Sequence, residues 1–188
     1  MRRFSSVRRL PCVLALACAV IATSLPVTGQ AREILGWVEW LVLEPSGLRL
    51  KARLDTGANT SSLHAIDVEP FERDGDEWVR FRVPLTDHKE ELTEDAVPEL
   101  TFKRPVERKV RIKSKGGTQS RFVVELPFCI SGRRYETQFT LTDRHEWNYP
   151  ALLGRRFLDD VILVDSSDSF LAAAECDWTR PADLRPDS

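Results

Sequence analysis

The sequence predicts an all-β domain, and three observations carry that prediction. Apolar residues recur with period two along most of the chain from Ile34 onward, the runs that hold them are rich in β-branched and aromatic residues, and glycine-bearing breaks divide them. A length of 188 residues suits one domain with a core of its own.

The elements follow in chain order. ILGWVEWLVLE, LRLKARLDT, WVRFRVPL, VERKVRIKS, RFVVELPFCI and RYETQFTLT all read as half-buried strands. Pro45-Ser46-Gly47, Lys115-Gly116-Gly117-Thr118 and Ser131-Gly132-Arg133 read as hairpin turns. From Thr86 to Pro105, TDHKEELTEDAVPELTFKRP is charged and poor in apolar residues, which predicts an exposed insertion around 86–105 and not core. Near the end, GRRFLDD predicts one short helix from Gly154, followed by the strand VILVD, the apolar run FLAAA and a flexible tail over 177–188.

The first 31 residues are set apart from this domain. Arg2, Arg3, Arg8 and Arg9 precede an uncharged stretch with LPCVLALACAVIATSL at its centre, and Gly29 and Ala31 put small residues where a signal peptidase reads. The expectation is a signal peptide over 1–31, a mature domain over 32–176, and secretion across an inner membrane to the periplasm. Cleavage near Ala22 to Ser24, an uncleaved anchor, and lipidation at Ala15-Leu16-Ala17-Cys18 rank below it. Any membrane contact is expected only through an uncleaved or lipidated leader.

Without the leader's four arginines, 23 basic residues face 29 acidic ones, a net charge of about −6. That argues against a nucleic-acid partner, whose binding needs a basic surface. Cys129 and Cys176 remain, and sequence alone leaves a disulfide and two buried thiols equally open.

One strand ends unusually, in Leu54-Asp55-Thr56-Gly57-Ala58. Gly57 lets the backbone turn closely, Thr56 can hold it locally, and Ser61 and Ser62 offer further donors, so the segment suits a presented carboxylate. A DTG triplet arises by chance in roughly 3% of chains of this length, so it needs a companion. Ala151-Leu152-Leu153-Gly154-Arg155 supplies one: an apolar strand whose glycine opens the short helix.

Together DTGA and LLGRRFL resemble the retropepsin-like aspartic peptidases. KARLDTGANTSSLHA, DRHEWNYPALLGRRFL and VILVD are similar to a bacterial branch of that family often labelled ATP-dependent zinc protease, and the similarity runs from about Glu33 to Ala174. The resemblance implies a closed six-stranded acid-protease barrel that supplies half of an active site. With one DTG per chain it also implies a homodimer acting on a peptide or protein. Asp55 is then the catalytic acid and base, sharing a proton with the second Asp55. Thr56 bonds across the dimer to its counterpart, Gly57 permits close approach, and Ala58 completes the loop. Leu152, Leu153 and Gly154 support the loop from beneath. Arg155, counted with the supporting residues, and Arg156 either brace the dimer or the carboxylate loop or form a solvated helix start, the safer of these readings.

The zinc part of the label finds little in the residues. His64, His88 and His145 are scattered, no HExxH motif exists, and Tyr149 stands where a second ligand after His145 would be, so surface or capping roles are expected. No phosphate loop GxxxxGK[ST] occurs, and no cofactor is expected. Trp37, Trp40 and Trp78 are placed on strands for packing. Trp147 and Tyr149 are placed either at a substrate groove or in the core, and Asp143 with Arg144 is read as a local ion pair. The resulting expectation is an aspartic endopeptidase. The alternatives are a non-catalytic barrel that binds a peptide or envelope component, and a zinc-dependent peptidase.

Overall fold

The computed structural model describes residues 32–84, 99–114, 117–173 and 176. The expected signal peptide over 1–31, His88 and the expected tail over 177–188 lie outside them.

Six strands close into a ring. They are β2 (Val38–Leu43), β3 (Leu48–Asp55), β4 (Ser61–His64), β9 (Gly117–Ile130), β10 (Arg133–Thr142) and β11 (Ala151–Gly154), running in the order β10-β4-β11-β3-β2-β9 with β9 pairing back to β10. The expected closed barrel is therefore present. Both β11–β3 and β10–β4 are parallel pairs. A further strand, β8 (Arg108–Ser114), continues the sheet from β9. Outside the ring, β1 (Glu33–Gly36) pairs in parallel with β12 (Ile162–Asp165). The one helix among the described residues, α1 (Arg155–Val161), links β11 to β12.

Alternation in β3 decides what faces where. Leu48, Leu50, Ala52 and Leu54 are buried, while Arg49, Lys51, Arg53 and Asp55 point outward. On the inside, Phe128 meets Phe139 at 5.8 Å and the helix residue Phe157 at 5.2 Å between ring centroids. This aromatic cluster seats α1 on β9 and β10, so the helix needs little intrinsic propensity.

The expected turns are hairpins. β8 and β9 pair up to Ser114 with Gly117, and Ser131 and Gly132 both have positive φ, 54° and 69°, as a tight hairpin between right-twisted strands requires. A third such turn, Asp74-Gly75, joins β5 (Ile66–Arg73) to β6 (Asp76–Pro84).

The insertion is corrected in part. Glu99–Pro105 forms β7, which pairs with β6 in a separate three-stranded sheet. Phe102 stacks on Phe81 at 5.5 Å and is 5% exposed, so this stretch contributes to the core that the sequence denied it. The remainder, 86–98, lies outside the described residues. Trp37 sits at the bend between β1 and β2 instead of on a strand. Cys129 and Cys176 are disulfide-bonded, which settles the alternative left open.

Glu39 is wholly buried inside this fold. Its carboxylate accepts from the backbone N–H groups of Gly36, Leu171 and Ala172, pinning the segment after β12 against β2.

Candidate active site

Asp55 ends β3 on its outward face, beside Gly154 in the parallel pairing with β11. Its side chain is 20% exposed. One oxygen, Oδ1, accepts the Gly57 N–H at 2.9 Å, so the carboxylate is held by its own loop. The other, Oδ2, stands 3.6 Å from Arg53 Nη2. Arg53 lies two residues back on the same strand face, a neighbour that period two alone could have indicated.

The loop after Asp55 is clamped by the helix start. Residues at a helix N-terminus have backbone N–H groups with no partner inside the helix, and Gly154 offers no side chain to cap them. The loop supplies carbonyls instead: the Arg155 N–H donates to Ala58 O at 2.9 Å and the Arg156 N–H to Asn59 O at 3.2 Å. Arg155 Nη1 donates to Thr56 O and Gly57 O at 3.0 and 3.1 Å. Arg155 is exposed at the helix start and at the same time braces the loop through those carbonyls, the supporting role counted for it. Thr56 and Gly57 themselves remain exposed.

Gly154 sits where a side chain has no room. A Cβ there would lie 2.7 Å from both the carbonyl carbon and oxygen of Thr60. Leu153 is in the core and Leu152 is partly buried. Ser61 and Ser62, expected as donors, accept: Ser61 Oγ takes the Gly154 N–H at 3.1 Å, and Ser62 Oγ takes Arg144 Nη1 at 2.8 Å.

Arg144 is the residue the sequence concealed. It is 6% exposed, its Nε donates to Tyr149 O at 3.1 Å, and its N–H donates to His64 Nδ1 at 2.8 Å. Burial first, then repulsion from Arg121 and Arg53, lowers its pKa to about 10, against an attraction from Asp55 that favours the charge. The guanidinium therefore lies in the electrostatic neighbourhood of Asp55. Nothing in TLTDRHEW marks an arginine for burial.

Other expectations separate here. His64 is fully buried and not a surface residue. Asp143 takes the His145 N–H at 2.9 Å and approaches its ring at 2.8 Å, while the Arg144 guanidinium turns to Ser62 and Tyr149, so the proposed local pair is replaced. Tyr149 packs edge-on against Trp37 at 5.9 Å, and Trp147 is 60% exposed. Among the described residues, no three His, Cys, Asp or Glu side chains come together as a metal would need, so they do not fit a zinc ion.

The β8–β9 hairpin projects beyond the ring. Only residues 123–130 of β9 pair with β10, whereas residues 117–122 pair with β8 alone. Arg121 and Phe122, near its base, border an open cavity of about 460 Å³ that also takes in Ala65 to Val68 and Leu141 to Asp143.

Comparison with known proteins agrees with this architecture. A solved structure from Legionella pneumophila, of unknown function, is 32% identical, with a TM-score of 0.62 over 75% of this chain and 98% of that one. A protein named probable alpha-L-glutamate ligase from Desulfotalea psychrophila is 36% identical over 72% of this chain. One of the same name from Shewanella halifaxensis is 32% identical over 77% of it. The chain spans only 28% and 31% of the length of those two relatives. The sequence model described as RimB-like, retropepsin-like aspartic endopeptidase RimB, matches residues 34–175. With the six-stranded ring and the clamped DTGA loop in place, this chain belongs to the RimB-like family of retropepsin-like proteins.

Proposed function

We propose that the protein is an aspartic endopeptidase whose active site forms between two copies of the chain. The observation that carries this reading is the fixed Asp55 carboxylate, one oxygen on the Gly57 N–H, on a loop whose carbonyls are gripped by Arg155 and the α1 backbone. Rigid presentation is what a general acid and base requires. In the proposed dimer two Asp55 carboxylates share one proton, since like charges at short range do not both ionise. The ionised one takes a proton from a bound water, which attacks the peptide carbonyl carbon. The protonated one gives its proton to the carbonyl oxygen; the tetrahedral intermediate then collapses as the first carboxyl passes the water-derived proton to the departing nitrogen and the second takes back a hydroxyl proton, releasing the amine and the new carboxyl group. Exposed Thr56 and Gly57 suit contact with the partner loop, and the projecting β8–β9 hairpin suits a cover for bound peptide.

The ligase name belongs to relatives of which this chain covers under a third. We read the matched portion as a peptidase module, and α-glutamyl peptide bonds as the substrate class that best unites the two names. The leader supports export, with the periplasm as the proposed site of action.

The test is peptide cleavage from pH 4 to 8 with and without a chelator, for the wild type and Asp55→Asn, alongside the molecular mass in solution. Chelator-resistant cleavage that disappears in the mutant supports the reading. Cleavage that survives the mutation, or a protein that cuts only with metal, sinks it. A monomer that binds peptide without cutting it would favour the non-catalytic barrel.

A further inference from the structure

We propose that Arg121 is the specificity-determining residue of the cavity at the base of the β8–β9 hairpin, and that it takes a carboxylate group of the bound peptide. The inference rests on the reading of Asp55 as the mark of the substrate site, and deepens it by naming the residue that reads the substrate.

The first observation is an imbalance of charge. Arg121 and Arg53 both repel Arg144, which Asp55, 3.6 Å from Arg53, attracts. Arg144 is fixed there by Ser62, Tyr149 and His64, so it does not swing away to relieve the repulsion. Crowded cations of this kind are stabilised by an anion.

The second observation concerns partners. The hydrogen bond of the Arg121 side chain is to a neutral group, from Nε to Gln119 Oε1 at 3.0 Å. Its surroundings withdraw water from it, which lowers its pKa. Two acids border the same cavity of about 460 Å³, and both are engaged elsewhere: Asp67 holds Arg82, and Asp143 holds His145. Arg121 is thus the cation of this cavity left without an acidic partner among the described residues.

The third observation is shape. Ile66, Val68, Phe122 and Leu141 line the same cavity and give it apolar surface beside that cation. A side chain with a methylene stem and a terminal carboxylate fits both, the stem on the apolar surface and the carboxylate on the guanidinium fork.

Binding is measured with the full chain carrying Asp55→Asn, so that no cleavage is needed, using fluorescein-labelled Ala-Glu-Glu-Ala and Ala-Gln-Gln-Ala and fluorescence anisotropy. The expected result is about tenfold tighter binding of the glutamate peptide. Adding Arg121→Gln brings the ratio to twofold or less, Arg121→Lys retains part of it, and thermal melting shows that both variants stay folded. Equal binding of the two peptides, or a preference unchanged by Arg121→Gln, overturns the proposal. Failure of the wild type to cut any peptide counts against the peptidase reading, while the binding ratio still decides the role of Arg121.

Discussion

Gly154 lies flat against Thr60, so close that a methyl group at 154 would stand 2.7 Å from the Thr60 carbonyl. The obstacle is backbone and not the end of a flexible side chain, so the loop itself must move. Gly154→Ala is expected to cost about 1–3 kcal/mol, the usual range for an overpacked site. Urea unfolding measures that loss. Peptide cleavage should fall much further than stability, because the displaced residues lead directly back to Asp55.

Arg155 grips the same loop from the other side through Thr56 O and Gly57 O. Its side chain is exposed, so Arg155→Met should cost only about 1 kcal/mol of global stability. Amide exchange at Thr56 to Ala58 should nevertheless quicken, and turnover should drop at least tenfold. Unchanged exchange in that loop would show that the backbone bonds of α1 hold it without the guanidinium.

Two carboxylates should move stability with pH in opposite senses. Glu44 is buried, and desolvation raises its pKa despite Arg134 at 2.8 Å, with Glu136 adding repulsion. Its folded form therefore holds a proton more firmly than its unfolded form, and the stability this gives at low pH is lost as pH rises through the raised value. Asp143 is held low, first by the His145 backbone N–H, so its contribution is present above the ordinary carboxylate pKa and lost as pH falls through the depressed value. Glu44→Gln should raise the melting temperature at pH 7 relative to pH 4. Asp143→Asn should lower it at pH 7 and leave it nearly unchanged near pH 2, an effect kept small by the exposure of Asp143.

The Cys129–Cys176 bond closes a loop with a sequence separation of 47 residues. Reduction, or Cys176→Ser, should cost about 2–4 kcal/mol. The melting temperature with and without reductant checks it. A loss confined to the segment after β12 would appear as faster exchange at Leu171 and Ala172, whose N–H groups Glu39 accepts.

The elements legible in the sequence were those with one face in the core. β3 alternates without a fault, so its limits and the outward aim of Asp55 could be read directly. β4 could not, since all four of its residues are buried between β10 and β11 and no alternation survives. β5 hides for the opposite reason: IDVEPFER is charged and contains Pro70, which is tolerated because this strand pairs on one side only. The Asp74-Gly75 turn before β6 was the available signal for it.

At the site, DTGA and LLG were visible because chemistry and close approach demand particular residues at particular places. Arg144 and Arg121 were not, because an arginine in a sequence carries no sign of its burial. The sequence by itself determined an all-β chain, a single DTG loop and the apolar strand with its glycine beside it, since each depends on local spacing and backbone freedom. Only the tertiary structure decided that the α1 backbone and Arg155 grip that loop and that Arg144 is buried in the electrostatic neighbourhood of Asp55, because those relationships join residues about 90 to 100 positions apart and exist only once the ring has closed.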